Sequence, residues 1–446
     1  MYSLSRFKQI ILVVGDVSIL YAALIITLWL RYGKLFYAQL IGYHLEPFTI
    51  VFGIWIIVFY IADLYDLQTL KNDFEFKKRF WYAVFINVII AALFFYSLPD
   101  FEIAPKTNLG IFLMIFGGLN YLWRQIYNLT LSKTGTVSRV LLIGSNKTAE
   151  EIADKIGNNP QLGYGIKYWM KEGLGDKEFE HLAQIIIANK INTIVIPAHL
   201  KKDSKAARLI YKTLVLGIGV MDLSRLYELI FQKIPLAELE EVWFLENLEK
   251  KHKIYELISR PLEFALASIL TALLLPLAVI IAFLIKITSP GSAFFSQKRL
   301  GKNGKEFIIW KFRTMKIDAE KDGPRWANYQ KDERATPIGN LLRNSHLDEL
   351  PQLYNILRGE LSFVGPRPER PEFVEKLRKE LPYYDLRHLT NPGITGWAQI
   401  NYRYAASAED AYQKLQYDIY YIKNNSPILD FLIILKTIKF LITNYD

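Results

Sequence analysis

The sequence predicts a multidomain membrane protein. A four-helix transmembrane bundle is expected over residues 1–134 and a degenerate Rossmann-like α/β domain over 135–248. A mostly helical, membrane-embedded catalytic domain is expected over 249–446, with a re-entrant helix at 261–287. Three observations lead there. Four apolar stretches follow one another at the N-terminus. From Ser138 onward, short apolar runs alternate with amphipathic ones. A further long apolar segment, Pro261–Ile287, is followed at once by a dense basic cluster.

The apolar stretches run roughly Phe7–Trp29, Phe48–Leu64, Trp81–Leu98 and Leu109–Leu129. Each approaches the about 17–25 residues that a helix needs to cross a bilayer. The first lacks a small-residue cleavage site, so it reads as a membrane helix and not as a signal peptide. Basic residues gather before the first stretch (Arg6, Lys8), after the second (Lys71, Lys77, Lys78, Arg79) and towards the end of the fourth and beyond it (Arg124, Lys133, Arg139). That bias places both ends of the bundle in the cytoplasm. Asp16 lies inside the first stretch, where an acid is a functional candidate. Its place near the helix start favours a plain interfacial residue.

The chain has 446 residues, 51% hydrophobic and 22% charged, with a net charge of +10. This is too apolar for an ordinary soluble protein and too charged for a pure membrane bundle. The positive charge suits an anionic lipid, a phosphate-rich substrate or a nucleic acid. There are no cysteines, which excludes disulfides and thiolate metal sites, and six histidines leave little material for a histidine-rich zinc site.

In the middle domain, Arg139–Gly144 (RVLLIG) reads as strand and turn, and SNKTAEEIADKI after it as an amphipathic helix. A helix at Phe179–Lys190, a strand at Thr193–Pro197, a helix around Ser204–Leu216 and a strand at Gly219–Leu223 follow, which implies a small parallel α/β domain. A dinucleotide fingerprint needs three glycines near the first turn. Here Gly144 is followed by Ser145, Asn146, Lys147, Thr148 and Ala149, so a scaffolding or regulatory domain is the better reading.

Pro261–Ile287 is long enough to cross a membrane, but Pro276 stands near its centre and removes a helical hydrogen bond. Lys286, Lys298, Arg299, Lys302, Lys305, Lys311, Arg313 and Lys316 follow it, opposed by Glu306 alone. So many basic residues belong on the cytoplasmic side, and others precede the segment. Both ends are therefore expected in the cytoplasm, with the helix entering one leaflet and turning back. The cluster lies beside an apolar segment, which fits lipid or diphosphate better than nucleic acid.

Three later segments suit phosphate chemistry. Asp348 and Glu349 are adjacent acids in GNLLRNSHLDELPQLYNILRG. Carboxylates are hard ligands for Mg²⁺, which takes a few of them plus substrate phosphates, and a carboxylate can also be a covalent nucleophile. A bare acidic pair is more often a solvated helix cap. The surroundings argue for more: ELSFVGPRPER presents Arg367 and Arg370 on a proline-framed turn, and NPGITGWAQ is a glycine-rich loop. Arginine forks and glycine-rich backbone both suit phosphate oxygens.

Over about residues 254–445 the chain resembles the polyprenyl-phosphate hexose-1-phosphate transferases, or bacterial sugar transferases. FSQKRLGKNGKEF, KFRTM, LDELPQL, LSFVGPRPERP, NPGITGWAQINYRY and KLQYDIYYIKNNSPILD carry the resemblance. It implies that Asp348 is the nucleophile and that Glu349, with Asp348 beside it, binds Mg²⁺. It implies that Pro276 kinks the re-entrant helix. Arg313, Arg367, Arg370, Asp418 and Asp430 would serve the substrate. The reaction implied is attack of Asp348 on the phosphorus next to the sugar of a UDP-sugar, release of UMP, and transfer of the sugar phosphate to undecaprenyl phosphate. An inner-membrane enzyme with a cytoplasmic catalytic domain is expected, assembled as a homo-oligomer (a dimer). His346, in RNSH, departs from the commonest pattern and has no role assigned to it. The alternative function is a nucleotide-sugar oxidoreductase or dehydratase built on the middle domain, against which the broken glycine fingerprint argues.

Overall fold

The computed structural model describes residues 2–97, 106–133, 138–171, 181–202, 208, 211, 217–248, 252–316, 319, 334–402 and 407–443. Leu98 and most of the helix expected around Ser204–Leu216 lie outside them. The chain forms two compact units, Met1–Ile230 and Phe231–Asp446.

The first unit opens with helices α1 (Tyr2–Tyr32), α2 (Leu45–Ile61), α3 (Phe74–Ser97) and α4 (Lys106–Lys133). Their shared core is aromatic. Phe48, Phe52, Trp55 and Phe59 recur at three- and four-residue spacing on α2 and meet Phe112 and Phe116 of α4, all fully or nearly fully buried. The outward faces stay apolar: Ile10, Trp29, Phe85 and Leu93 are among the exposed large side chains.

Among the described residues, three runs are long and apolar enough to cross a membrane: Phe7–Ile61, Phe74–Ser97 and Tyr255–Thr288. Helix α4 is not one of them, because it carries Asn108, Asn120, Arg124 and Asn128, all buried. Arg124 also corrects the interfacial reading of Asp16. Asp16 is fully buried and ion-paired with Arg124. It also accepts hydrogen bonds from Asn120 at 2.9 Å and Tyr65 at 2.8 Å. A buried charge requires such a partner, and Asp16 finds it 108 residues along the chain.

The rest of the first unit is a four-stranded parallel sheet, ordered β2-β1-β3-β4: β1 (Ser138–Ile143), β2 (Tyr164–Met170), β3 (Thr193–Ile196) and β4 (Gly219–Asp222). Strand β2 has no counterpart in the sequence reading; its YGIKYWM carries too many half-buried positions to show a clean period. Helix α5 (Lys147–Asn158) begins where expected, capped by Asn146.

Residues 231–248, expected to close the α/β domain, belong to the second unit, where Ile234, Leu236, Phe244 and Leu248 pack in a core with Trp397, Leu415 and Ile419. The long helix α6 (His252–Thr288) follows. It begins nine residues before the expected Pro261 and stays helical on both sides of Pro276. The proline withdraws one backbone donor without ending the helix.

Strands β5 (Phe294–Leu300) and β6 (Glu306–Phe312) form an antiparallel hairpin turned over Asn303. Helices α7 (Pro337–Asn344) and α8 (Gln352–Arg358) come next, then β7 (Ser362–Val364), α9 (Pro371–Glu380), β8 (Gly393–Thr395), α10 (Ala408–Asn424) and α11 (Pro427–Thr443). Strand β8 pairs parallel with β7.

Candidate active site

Asp348 and Glu349 occupy a single 3₁₀ turn, Leu347–Glu349, between α7 and α8. His346 precedes the turn with φ of +54°, so the residue without an expected role makes the corner from which the turn starts. Helix α7 is held against the hairpin end: Thr336 and Lys316 donate backbone hydrogen bonds to Thr314 and Arg334 at 2.9 Å each. Gly339 permits the approach, since a Cβ there would lie 1.9 Å from the Thr314 carbonyl oxygen.

The two acids differ sharply, and neither is a solvated cap. Glu349 Oε1 accepts from Lys311 of β6 at 2.5 Å and from Arg367 at 3.2 Å. Burial alone would raise the Glu349 carboxyl; Lys311 and Arg367 overcome it and hold the group at about 2. Asp348 is 8% exposed and has no hydrogen-bond partner among the described residues. Burial pushes its carboxyl up, against the pull of Lys311.

Arg367 is presented on a fully tethered backbone. The carbonyls of four successive residues each accept a hydrogen bond: Pro366 from the Gly393 amide, Arg367 from Arg387, Pro368 from Arg299 and Glu369 from the Leu300 amide, all at 3.0 Å. The glycine-rich loop serves this packing. A Cβ at Gly393 would lie 2.1 Å from the Gly365 nitrogen, so its glycines let two backbones touch instead of leaving an open phosphate cradle. Trp397 is a core residue whose indole donates to the Gln232 carbonyl at 2.9 Å.

The remaining expected substrate residues stand around this frame. Asp418 is buried and ion-paired with Arg387 at 3.0 Å, so it reaches Arg367 through a second arginine. Burial pushes Asp418 up to about 6 against Arg387 and Lys414. Asp430 accepts from Tyr255 of α6 and, at 2.9 Å, from Tyr421 of α10, joining three helices. Arg313 donates to the carbonyls of Pro290 and Ser289 at 2.6 and 3.0 Å, just beyond the end of α6. Arg370 starts α9, where it pairs with Glu372 at 3.6 Å. Of the five, the structure brings Arg367 onto the dyad. The sequence reading had no site role for Lys311, Arg299 or Arg387; Lys311 lay within the KFRTM motif that could have signalled it.

Among the described residues no group of three or more metal-binding side chains occurs. The donor set still suits Mg²⁺, which takes one or two carboxylates and completes its shell with phosphate oxygens and water. Glu349 spends one oxygen on Lys311 and Arg367, and its second oxygen and Asp348 make no direct ion pair among the described residues.

Known proteins match this half of the chain. The family described as Bacterial sugar transferase matches residues 254–444. A Bacillus subtilis (strain 168) protein, named putative undecaprenyl-phosphate N-acetylgalactosaminyl 1-phosphate transferase, is 46% identical over 141 residues, 32% of this chain and 78% of that relative. The chain belongs to the bacterial sugar transferase family. Two longer matches extend beyond that stretch. UDP-N-acetylgalactosamine-undecaprenyl-phosphate N-acetylgalactosaminephosphotransferase of Aeromonas hydrophila is 38% identical over 253 residues, 56% of this chain and 59% of the relative's own length. UDP-glucose:undecaprenyl-phosphate glucose-1-phosphate transferase of Escherichia coli (strain K12) is 28% identical over 385 residues, 83% of this chain and 77% of the relative.

For this sugar transferase family member, the oxidoreductase or dehydratase alternative finds no support. A Cβ at Gly144 would lie 3.2 Å from the Pro197 ring, and the Trp169 indole donates to the Gly144 carbonyl at 2.8 Å, so protein fills the turn where a dinucleotide would approach.

Proposed function

We propose that this chain transfers a hexose 1-phosphate from a UDP-sugar to undecaprenyl phosphate and releases UMP, through a covalent phosphosugar on Asp348. The observation that carries this reading is the division within the dyad. One carboxylate is locked by two cations, and its neighbour is buried and has no hydrogen-bond partner among the described residues. Adjacent acids whose surroundings push their ionisation apart suit different roles. A carboxylate stripped of hydrogen bonds keeps its lone pairs for attack.

In the first step an Asp348 oxygen bonds to the phosphorus that carries the sugar. The bond from that phosphorus to the bridging oxygen breaks, and UMP leaves with the oxygen. In the second step a phosphate oxygen of the lipid bonds to the same phosphorus and expels the Asp348 carboxylate. The sugar C1–O bond is untouched, so the anomeric configuration is kept. Lys311 and Arg367 hold Glu349 ionised beside the reacting phosphoryl group, and Arg367 adds positive charge where negative charge develops. A Mg²⁺ held by Glu349 and Asp348 would supply further charge neutralisation on the phosphates.

The same reading puts α6 into one leaflet of the bacterial inner membrane, with the active site cytoplasmic and α1–α4 as a membrane bundle. At about 1.5 Å per residue α6 is roughly 55 Å long, enough to cross. Both of its ends are nevertheless tied to one hairpin. Lys302 in the hairpin turn pairs with Glu256 at 2.5 Å, and Arg313 past its base holds the carbonyls beyond Thr288. A crossing helix would drag Lys298, Arg299, Lys302 and Lys305 into hydrocarbon, at about 2.5–3.5 kcal/mol for each charge.

The test is UMP release by the detergent-purified chain against a panel of UDP-sugars with undecaprenyl phosphate. One UDP-sugar should yield UMP and a lipid-linked diphosphosugar in equal amounts. No UMP from any of them would reject the reading.

A further inference from the structure

An apolar cavity of about 450 Å³ opens beside the dyad, within the range of sites that enclose a small ligand. Helix α6 contributes Thr271 and Ala278, the hairpin contributes Trp310 and Phe312, and the segment after the dyad contributes Leu350 and Tyr354. Residues that flank the dyad reach this cavity: Leu347 and Leu350 pack in one cluster with Phe312 and Ala278, and Leu350 lines the cavity itself.

The outer wall is no ordinary protein surface. Of the residues that line the cavity, Leu275 of α6 is 57% exposed, Tyr354 52% and Phe294 47%. A patch so apolar belongs against lipid or a partner. Thr271 adds a polar mark. Ser268 and Thr288 of this helix return their hydroxyls to the carbonyls of Phe264 and Leu284, whereas Thr271 Oγ1 is buried in the cavity wall with no hydrogen-bond partner among the described residues.

We propose that this cavity receives the first isoprene units of the lipid acceptor, so that the polyprenyl phosphate enters along α6 with its phosphate led to Asp348. The proposal rests on the transferase reading above and adds the seat of the lipid tail. An acceptor with its phosphate at the dyad must carry its hydrocarbon away from Lys311, Arg367 and Glu349. The cavity offers an apolar path that starts at the residue after Glu349, on the side of α6 where Leu275 is exposed. Aromatic walls formed by Trp310, Phe312 and Tyr354 suit a branched, unsaturated chain.

Two variants of opposite kind test this in the full-length protein. Ala278→Trp fills the cavity, and Tyr354→Ala opens it at a residue 52% exposed, where folding is least at risk. Each should raise KM for undecaprenyl phosphate by about tenfold, the scale at which an apolar pocket discriminates. KM for the UDP-sugar should stay as in the parent. Farnesyl phosphate in detergent, a short acceptor that needs no bilayer, should show the same loss. Unchanged acceptor KM in both variants would overturn the proposal and leave the cavity to an acyl chain of the bulk bilayer. A loss seen with undecaprenyl phosphate in vesicles but absent with farnesyl phosphate would also overturn it, because the variants would then act on how α6 sits in lipid. Failure of the parent protein to release UMP from any UDP-sugar would reject the transferase reading itself, and this proposal with it.

Discussion

Lys311 and Arg367 donate to the same oxygen of Glu349, and this arrangement decides what each acid can do. A buried carboxylate held by two cations remains charged far into acid; one without them drifts upward. The wild-type Glu349 carboxyl, held at about 2, should place no acid limb on activity above its ordinary value of about 4.3. In Lys311→Met, burial is opposed by Arg367 and His346 without the closest cation, so the acid limb of kcat should move up by a pH unit or more. A profile identical to wild type would mean that Lys311 does not control Glu349. The acids themselves could be found in the sequence because LDELPQL is compact. Lys311 could not be ranked above the other basic residues of its cluster, because only the folded hairpin aims it at Glu349. Arg299 and Arg387 were hidden for the same reason: they act on carbonyls of the Pro366–Glu369 turn, and no local pattern records that.

At the level of elements, α6 is fixed to its unit at both ends. Tyr255 donates to Asp430, Arg260 donates to the Ile356 carbonyl at 2.7 Å, and Arg313 holds the far end. The apolar run of α6 was plain in the sequence, but its true start was not. Arg260 looks like a loop residue until its partner on α8 is seen. Pro276 marked a discontinuity in the pattern, yet a single lost donor does not end a helix whose neighbours pack against it.

Asp430 gives this anchorage a pH signature. Burial raises its carboxyl to about 6, against the donors Tyr255 and Tyr421. A raised carboxyl keeps its proton in the native state where the unfolded chain, with a value of about 3.9, has lost it. The native state therefore gains stability below pH 4 and loses it as pH rises through 6. The melting temperature should fall between pH 4 and 7, and Asp430→Asn should flatten part of that slope, with Asp418 supplying the remainder. An unaltered slope would show that Asp430 is ionised in the fold. Topology is checked separately, by Lys253→Cys and Lys305→Cys in a chain that has no cysteine of its own. A membrane-impermeant thiol reagent on intact cells should label neither. Labelling at position 305 alone would make α6 a span.

For the molecule as a whole, the division at Phe231 differs in consequence from one at residue 249. Ile234, Leu236, Phe244 and Leu248 are all at most 6% exposed in the core that surrounds Trp397. Removing a buried aliphatic or aromatic side chain costs about 2–5 kcal/mol. A chain starting at Phe231 should therefore fold and release UMP, whereas one starting at residue 249 should be strongly destabilised. Equal stability of the two would show that residues 231–248 contribute nothing to the core. The sequence announced the broad order of membrane, α/β and catalytic segments, because hydropathy and period change where the architecture does. It concealed this boundary because VWFLENL is as apolar and as helical as the segment before it. The Asp16–Arg124 pair was likewise out of reach: an acid in an apolar stretch is visible, but its partner depends on how α1 and α4 pack.

Covalent capture tests the central claim most directly. The intact protein is mixed with the UDP-sugar it accepts, without any lipid acceptor, then quenched and digested. UMP should appear in a burst of about one equivalent per active site, and the peptide containing Asp348 should gain the mass of one phosphosugar. Asp348→Asn should show neither while it remains folded, with turnover down by about 10³-fold or more, as expected when a nucleophile is removed. UMP that appears only after undecaprenyl phosphate is added, with no modified peptide, would mean direct transfer in a ternary complex and would contradict the account.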